Sequence, residues 1–369
     1  MSVQINIPIY EPDLSGNERQ YVLDCLESTW ISSRGKYIAL FEQAFAQYID
    51  VSFASSVCNG TAALHLALLA LGLGPGDEVI VPTLTYIASA NAISYTGATP
   101  VFVDSLPHTW QMDPEEVAQK ITFRTRAILV VHLYGHPCDM QAILSIAERH
   151  NLFVIEDCAE AFGSRYCGKH VGTFGDIATF SFYGNKTIST GEGGMVATND
   201  AALHERILHL RGQGLVAGRE YWHDVVGYNY RMTNICAAIG LAQLERVDDF
   251  LARKRQLADR YREGLNGVPV EIHRESSNTI HSYWMIAILA RSLEERNLLR
   301  ATLADANIET RPTFYPIHTM PMYTAGAQHF MVAEDVGSRG VILPSWPRLS
   351  TEATDQICTA ITRFYRSKS

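Results

Sequence analysis

Between about residues 53 and 200, short runs rich in β-branched and aromatic residues alternate with stretches of helical periodicity. FASSV, EVIVP, PVFVD, AILVVH, LFVIED, ATFSF and GGMVAT read as strands. Helices are predicted near 60–71, 85–96, 113–120 and 139–150, the third opened by Asp113-Pro114 with the proline at the first helical position. Strands alternating with helices imply a mostly parallel sheet covered on both faces. Upstream, Ser15 and Glu18 have the spacing of a capping box and open a helix through about residue 28. Downstream, residues 234–264 carry one long amphipathic pattern leading into a smaller α/β unit, with a strand near YWMIAIL and a last helix after Ser350. The expected organisation is a large domain over 1–250, whose N-terminal segment can pack on the small domain, and a small one over 251–369.

Composition narrows the class. The 369 residues are 47% hydrophobic and 19% charged, enough for a substantial core, and the net charge is −9. That charge argues against a nucleic-acid or anionic-membrane binder, while a local basic pocket for a phosphorylated ligand stays compatible with it. No apolar run is long enough to span a bilayer, and MSVQINIPIYEP lacks a cationic stretch followed by an apolar one. A cytoplasmic protein is expected. The seven cysteines are scattered and form no CxxC pair, so neither a disulfide framework nor a structural zinc site is expected. His132 and His136 sit four apart on a strand end and turn, lacking the helical pairing of zinc motifs. No metal is expected.

Two glycine clusters carry little nucleotide signal. GLGPGD at 72–77 follows a helix and precedes a strand, the reverse of a dinucleotide fingerprint. GNKT at 184–187 resembles half a Walker motif without its upstream glycine.

The remaining polar residues of interest fall at strand ends and helix starts, the sheet edge where ligands collect. Lys186, in FSFYGNKTISTGEGG, follows an apolar strand; burial or a neighbouring cation there would free its amine for attack. Alone, it reads equally well as a loop lysine. Asp157 closes LFVIED, where a buried acid needs a cation, although a turn aspartate is the bland alternative. Glu156 faces the opposite side of the strand. Asn59-Gly60-Thr61 precedes a helix whose free amides suit a phosphate, with Gly60 permitting close approach and Thr61 and Ser181 adding hydroxyls. A plain cap by Asn59 competes with that reading. Tyr86, after EVIVP, is placed either to lay its ring on a flat ligand or to fill core. An amine, a carboxylate, an anion cradle and a flat clamp are what pyridoxal 5′-phosphate requires. Their order suits that cofactor, with Lys186 as the Schiff-base lysine and Asp157 at the ring nitrogen.

The segments NGTAALHLALLALGLGPGDEVIVPTLTYIASANAI, VVHLYG, VIEDCAEAFG, TFSFYGNKTISTGEGGMV, YNYRMTNICAAIGLAQLERVD and RPTFYPIHTMPMY resemble the DegT/DnrJ/EryC1/StrS family of sugar aminotransferases. The resemblance covers nearly the whole chain and implies the type I (aspartate aminotransferase) fold. It implies Lys186 and Asp157 as the catalytic pair, with Gly60, Thr61 and Ser181 on the cofactor phosphate. Glu160 would lie beside the ring, where many relatives carry glutamine or histidine. Asn229, in YNYRM, would reach the phosphate of the neighbouring subunit, giving a homodimer with shared active sites. Dehydratase members replace the Schiff-base lysine by histidine; this sequence keeps Lys186.

The resemblance further implies glutamate as amino donor, 2-oxoglutarate as its product and a nucleotide-linked keto sugar as acceptor. STWISSRGKY, GREYWHDVVGYNYRM, HSYW and LPSWP point to members that aminate C4 of GDP-4-keto-6-deoxymannose for O-antigen polysaccharide. A dTDP- or UDP-linked 3- or 4-keto sugar is the alternative within the class, and a non-catalytic scaffold of this fold the alternative outside it. Arg34, Lys36, Arg219 and Arg231 are candidates for the substrate diphosphate. Trp30 and Tyr315 are candidates for further substrate contact, and His281 and His318 for sugar hydroxyls. Each also reads as an ordinary surface residue or a hydrogen-bonded histidine.

Overall fold

The computed structural model describes residues 7–324 and 328–367. In chain order its first strands are β1 (Phe53–Val57), β2 (Glu78–Pro82), β3 (Thr99–Val103), β4 (Thr125–Val131), β5 (Phe153–Asp157), the short β6 (Arg165–Tyr166) and β7 (Lys169–His170), β8 (Ile177–Ser181) and β9 (Gly194–Thr198). All but β6 and β7 form one sheet in the order β1-β9-β8-β5-β4-β2-β3. Neighbours from β8 to β3 are parallel, and β9 alone runs against the rest.

Helices α1 (Glu18–Glu27) and α2 (Lys36–Ile49) precede the sheet. α3 (Gly60–Ala70), α4 (Ala88–Tyr95), α5 (Pro114–Lys120) and α6 (Met140–His150) lie between its strands, and α7 (Ala201–Arg211) follows β9. The strand centres are mainly apolar because both faces are covered. Val79, Val81, Leu129 and Ile155 enter one buried cluster, while their neighbours Ile80, Ile128, Val130 and Val154 enter another with Ile143 of α6. Each such side chain, fully buried, contributes about 1.5–3 kcal/mol. The same alternation sets Asp157 on the face of Ile155 and Glu156 on that of Val154.

Three local expectations need correction. The helix opening near residue 18 forms, but without a capping box: the Ser15 hydroxyl donates to Asp13 (2.6 Å), and Glu18 turns inward to accept from Gln243 Nε2 (2.6 Å). The pattern over 234–264 is two helices, α8 (Asn234–Leu244) and α9 (Val247–Gly264). They part because they bury different surfaces: Ala237 and Ala238 pack with Phe41 and Phe180, whereas Leu257 and Tyr261 pack with Ile288 and Ile357. At the break, Arg246 pairs with Asp13 (3.0 Å). Finally, α2 and α7 form where the sequence pattern singles out no helix, as do the helices over Leu293–Asp305 and Met331–Arg339.

The C-terminal part contains β10 (Glu271–Ile272), β11 (Thr279–Ile280), β12 (Ile286–Leu289), α10 (Leu293–Asp305), β13 (Arg311–Pro312), α11 (Met331–Arg339), β14 (Gly340–Leu343) and α12 (Thr351–Arg366). Its antiparallel sheet runs β10-β12-β14-β13, and β11 joins β6 and β7 in a small third sheet. Ile7 packs against this part: its amide donates to the Asn307 carbonyl (3.1 Å), and it shares a cluster with Leu299. Trp284, Ile317 and Val336 sit in the same cluster as Val79 and Leu129, so apolar core is continuous across the two parts. No helix of the described residues is long and apolar enough to cross a membrane.

Candidate active site

The C-terminal ends of β5 and β8 lie side by side, and the loops leaving them hold the chemistry. Asp157 ends β5 with its carboxylate buried; Oδ2 accepts from the Ser89 hydroxyl (2.8 Å) and Oδ1 from the Ala159 amide (3.1 Å). Burial raises its pKa, and each oxygen keeps a lone pair for a further donor. One turn later Glu160 is also buried, and its Oε2 accepts from the Tyr134 amide (2.8 Å). Burial lifts that carboxyl to about 7.

Lys186 follows β8 through a turn in which its amide donates to the Tyr183 carbonyl (2.9 Å). Its Nζ lies 3.9 Å from Glu160 Oε1 and 3.9 Å from the centre of the Trp284 ring. Burial lowers the amine's pKa, with Glu160 and Asp157 opposing that shift. Trp284 is itself fixed by its indole N–H, which donates to the Asn185 carbonyl (2.6 Å).

Tyr134 bounds the site with a left-handed backbone (φ 55°), a strained state for a tyrosine. The conformation points its amide at Glu160; its hydroxyl accepts from the Phe314 amide (2.9 Å), and its ring stacks on Trp284 and Phe314.

The cradle is the N-terminus of α3. Asn59 caps it by accepting from the Ala62 amide (2.8 Å), so the cap reading is correct. The cap and the cradle coexist, because the amides of Gly60 and Thr61 have no intrahelical partner and stay available to an anion. A Cβ on Gly60 would fall 2.7 Å from Ser181 Cβ and 3.0 Å from its Oγ. The glycine thus lets the helix end close onto the serine hydroxyl.

One amine, two buried acids and an anion-binding helix end therefore meet at one sheet edge. Two acids against one lysine leave a buried negative excess that a cation would relieve. These features fit pyridoxal 5′-phosphate, whose ring nitrogen would face Asp157 and whose phosphate would take the cradle. Ser89, Tyr134 and Trp284 belong to this site and were missed. Only the strand-end position of Tyr134, in VVHLYG, offered a local signal.

The other candidates are more exposed. Tyr86 is half exposed against Phe314, close to the exposed Tyr315. Trp30 and Arg34 are exposed on a loop that Asn234 holds through the Trp30 carbonyl (2.7 Å) and the Tyr37 amide (3.0 Å). Lys36 pairs with Asp24 (2.7 Å). Arg219 is exposed and stacks on Trp222 (3.6 Å); Asn229 and Arg231 are exposed beyond it.

Two histidines are corrected. His281 is buried in a cluster with His136 and His273, its Nε2 on His273 and its Nδ1 accepting from the Tyr283 amide (2.9 Å), which leaves no nitrogen for a sugar. His318 is held between the Thr83 hydroxyl (2.8 Å) and Glu334 (3.2 Å).

His132 is not paired with His136 for metal binding either. It bonds Glu156 (3.1 Å) and accepts from the Cys138 amide (3.0 Å). Cys158 completes a potential ligand trio, but Glu156 is already saturated by the amides of Gly172, Phe174 and Gly175.

Fold and site together define a pyridoxal-phosphate-dependent sugar aminotransferase of the type I fold. Residues 12–362 match the DegT/DnrJ/EryC1/StrS aminotransferase family, to which the chain belongs. It is 63% identical to a GDP-perosamine synthase of Escherichia coli O157:H7, over 98% of this chain and 99% of that protein. It is 51% identical to the Vibrio cholerae protein of the same name, over 97% and 99% respectively. Among solved structures, the PLP form of a sugar aminotransferase, Spr1654 of Streptococcus pneumoniae, superposes with a TM-score of 0.94 at 30% identity, over 98% of this chain and 99% of that one.

Proposed function

We propose that the protein transfers the amino group of glutamate to C4 of GDP-4-keto-6-deoxymannose, giving GDP-perosamine. The observation that carries this reading is the end-to-end similarity at 63% identity to an enzyme of that name. Pyridoxal phosphate, when bound, supplies a carbonyl carbon that holds the amino group and a ring that accommodates the electron pair left by a lost proton.

The chain's own groups then have definite tasks. Lys186 would hold the cofactor, and its amine would move the proton at the carbon bearing nitrogen, off the glutamate α-carbon in one half-reaction and onto sugar C4 in the other. A single base serving both half-reactions implies ping-pong kinetics. Burial lowers the amine's pKa, which favours the neutral base. Glu160, at 3.9 Å, opposes this and keeps the ammonium accessible for returning the proton. Asp157, held by Ser89 and the Ala159 amide, would present its carboxylate to the ring nitrogen. Gly60, Thr61 and Ser181 would hold the phosphate, and Tyr86 would lie against the cofactor.

We assign the sugar nucleotide to the exposed rim, with Arg34, Arg219 and Arg231 on the diphosphate and Trp30 and Tyr315 beside the sugar or base. We further assign a homodimer in which Asn229 reaches the partner's cofactor phosphate, and a cytoplasmic reaction. Residues 1–250 and 251–369 are proposed as the two domains, residues 1–6 lying outside those described. The deciding experiment incubates the purified protein with glutamate and either GDP-4-keto-6-deoxymannose or its dTDP counterpart. Aminated GDP-sugar with 2-oxoglutarate is expected, and preferential turnover of the dTDP sugar would sink the nucleotide assignment.

A further inference from the structure

One lysine is buried more deeply than Lys186, and the chemistry above makes no use of it. Lys254, on α9, is 2% exposed. Burial is the one influence on its amine, which it pushes down to about 7, and among the described residues no carboxylate pairs with it. A lone buried ammonium is costly, so a lysine at such a position must be held by what its nitrogen bonds. Its Nζ donates to the Trp284 carbonyl (2.9 Å) and to the Ser345 carbonyl, and lies 5.8 Å from the centre of the Tyr10 ring. Two N–H donors suffice for both carbonyls, so the contacts survive loss of the amine's proton.

What those contacts hold is the surroundings of Lys186. The Trp284 ring lies under the Lys186 amine at 3.9 Å, and its indole N–H is bonded to the Asn185 carbonyl. Tyr10, whose ring faces Lys254, donates its hydroxyl to the Lys186 carbonyl (2.6 Å). Ser345 ties the remaining strands together: its amide donates to the Ile9 carbonyl (3.2 Å) and its hydroxyl accepts from the Ile286 amide (3.3 Å). Segments from residues 9–10, 284–286 and 345 thus converge on Lys254, and two of them brace Lys186 directly.

We propose that Lys254 is a positioning residue for Lys186, acting through the Trp284 carbonyl to fix the indole ring beneath the reactive amine. An aromatic face at that distance favours the charged form of an amine, so its placement helps set the ease with which Lys186 gains and loses its proton. The proposal rests on Lys186 as the residue bonded to pyridoxal phosphate.

The test uses the full-length, cofactor-loaded protein and the variants Lys254→Met, Trp284→Phe and their double. Two quantities are read: kcat, and the midpoint of the pH titration of the lysine–cofactor absorbance band. Lys254→Met is expected to lower kcat roughly tenfold or more and to move the midpoint, while KM for glutamate stays within about twofold. Because the effect passes through the indole, the double variant should match Trp284→Phe alone. Additive losses overturn the proposal, as does a lowered melting temperature with kcat and midpoint unchanged. If Lys254→Met does not fold, Lys254→Gln, which keeps a donor, is read the same way: an intermediate midpoint supports the proposal and a wild-type one overturns it. Lys186→Ala serves as the separate control. A lysine–cofactor band persisting there would overturn the Lys186 assignment itself, whereas an unmoved band in the Lys254 variants overturns this proposal alone.

Discussion

At the scale of single residues, Glu160 and Lys186 show how position decides chemistry. Glu160 is buried and Lys186 largely so, and desolvation moves their pKa values toward each other, the acid up to about 7 and the amine down. Their 3.9 Å separation then makes the charge on one depend on the other. Replacing Glu160 by Gln removes the anion that favours the Lys186 ammonium, so the lysine should lose its proton at lower pH. The acid limb of kcat, where substrate has released the lysine, is expected to shift down by roughly one unit or more, measured as a pH profile at saturating glutamate. An unmoved acid limb would separate the two groups. Nothing in CAEAFG or GNKT states that these residues meet. Their local sequence fits a turn acid and a loop lysine, and Ser89 and Trp284 gave no signal because their roles exist only through contacts distant in the chain.

Elements were more legible than residues. The strand runs ended within a residue or so of the observed β5, β8 and β9, because apolar continuity and turn residues are local properties. The α3 N-terminus was equally plain, since Asn59 caps it as its side-chain chemistry dictates. The cradle's working part was not plain, because it depends on Ser181 arriving against Gly60 from another strand. Gly60→Ala places a methyl 2.7 Å from Ser181 Cβ and should weaken cofactor binding by roughly tenfold, about 1.4 kcal/mol. Equilibrium dialysis of the apoprotein with pyridoxal phosphate checks this; unchanged affinity would remove the helix end from the phosphate site. The pattern over 234–264 misled for a related reason. Helical periodicity ran on through Glu245 and Arg246, and only the change of packing partner separates α8 from α9.

For the whole molecule, one consequence follows from the buried imidazoles of His136, His273 and His281. Burial depresses the first two to about 4 and about 3, and the third well below its ordinary value. An unfolded chain takes up these protons near pH 6.5 while the folded one resists them, so stability is present above that pH and falls as pH drops toward 4. Each histidine contributes a slope of about 1.4 kcal/mol per pH unit in that window. His281→Phe should make the decline of melting temperature between pH 6.5 and 4 shallower, and an equally steep decline would place the acid sensitivity elsewhere. The proposed shared site makes a second prediction. Lys186→Ala and Asn229→Glu chains, each inactive alone, should regain about a quarter of wild-type activity when co-expressed, because one site of each mixed dimer is intact. Absence of any recovery in a turnover assay would put Asn229 outside the partner's site. The sequence by itself determined the alternating strands and helices, the double-covered sheet and the residues standing at its ligand-binding edge, since these follow from local periodicity and from strand ends. The tertiary structure alone decided that Glu160 and Trp284 surround Lys186, that Ser89 holds Asp157, and that His281 and His318 are consumed by internal bonds. Those facts rest on where distant segments pack, and burial and hydrogen-bond partners are properties of that packing.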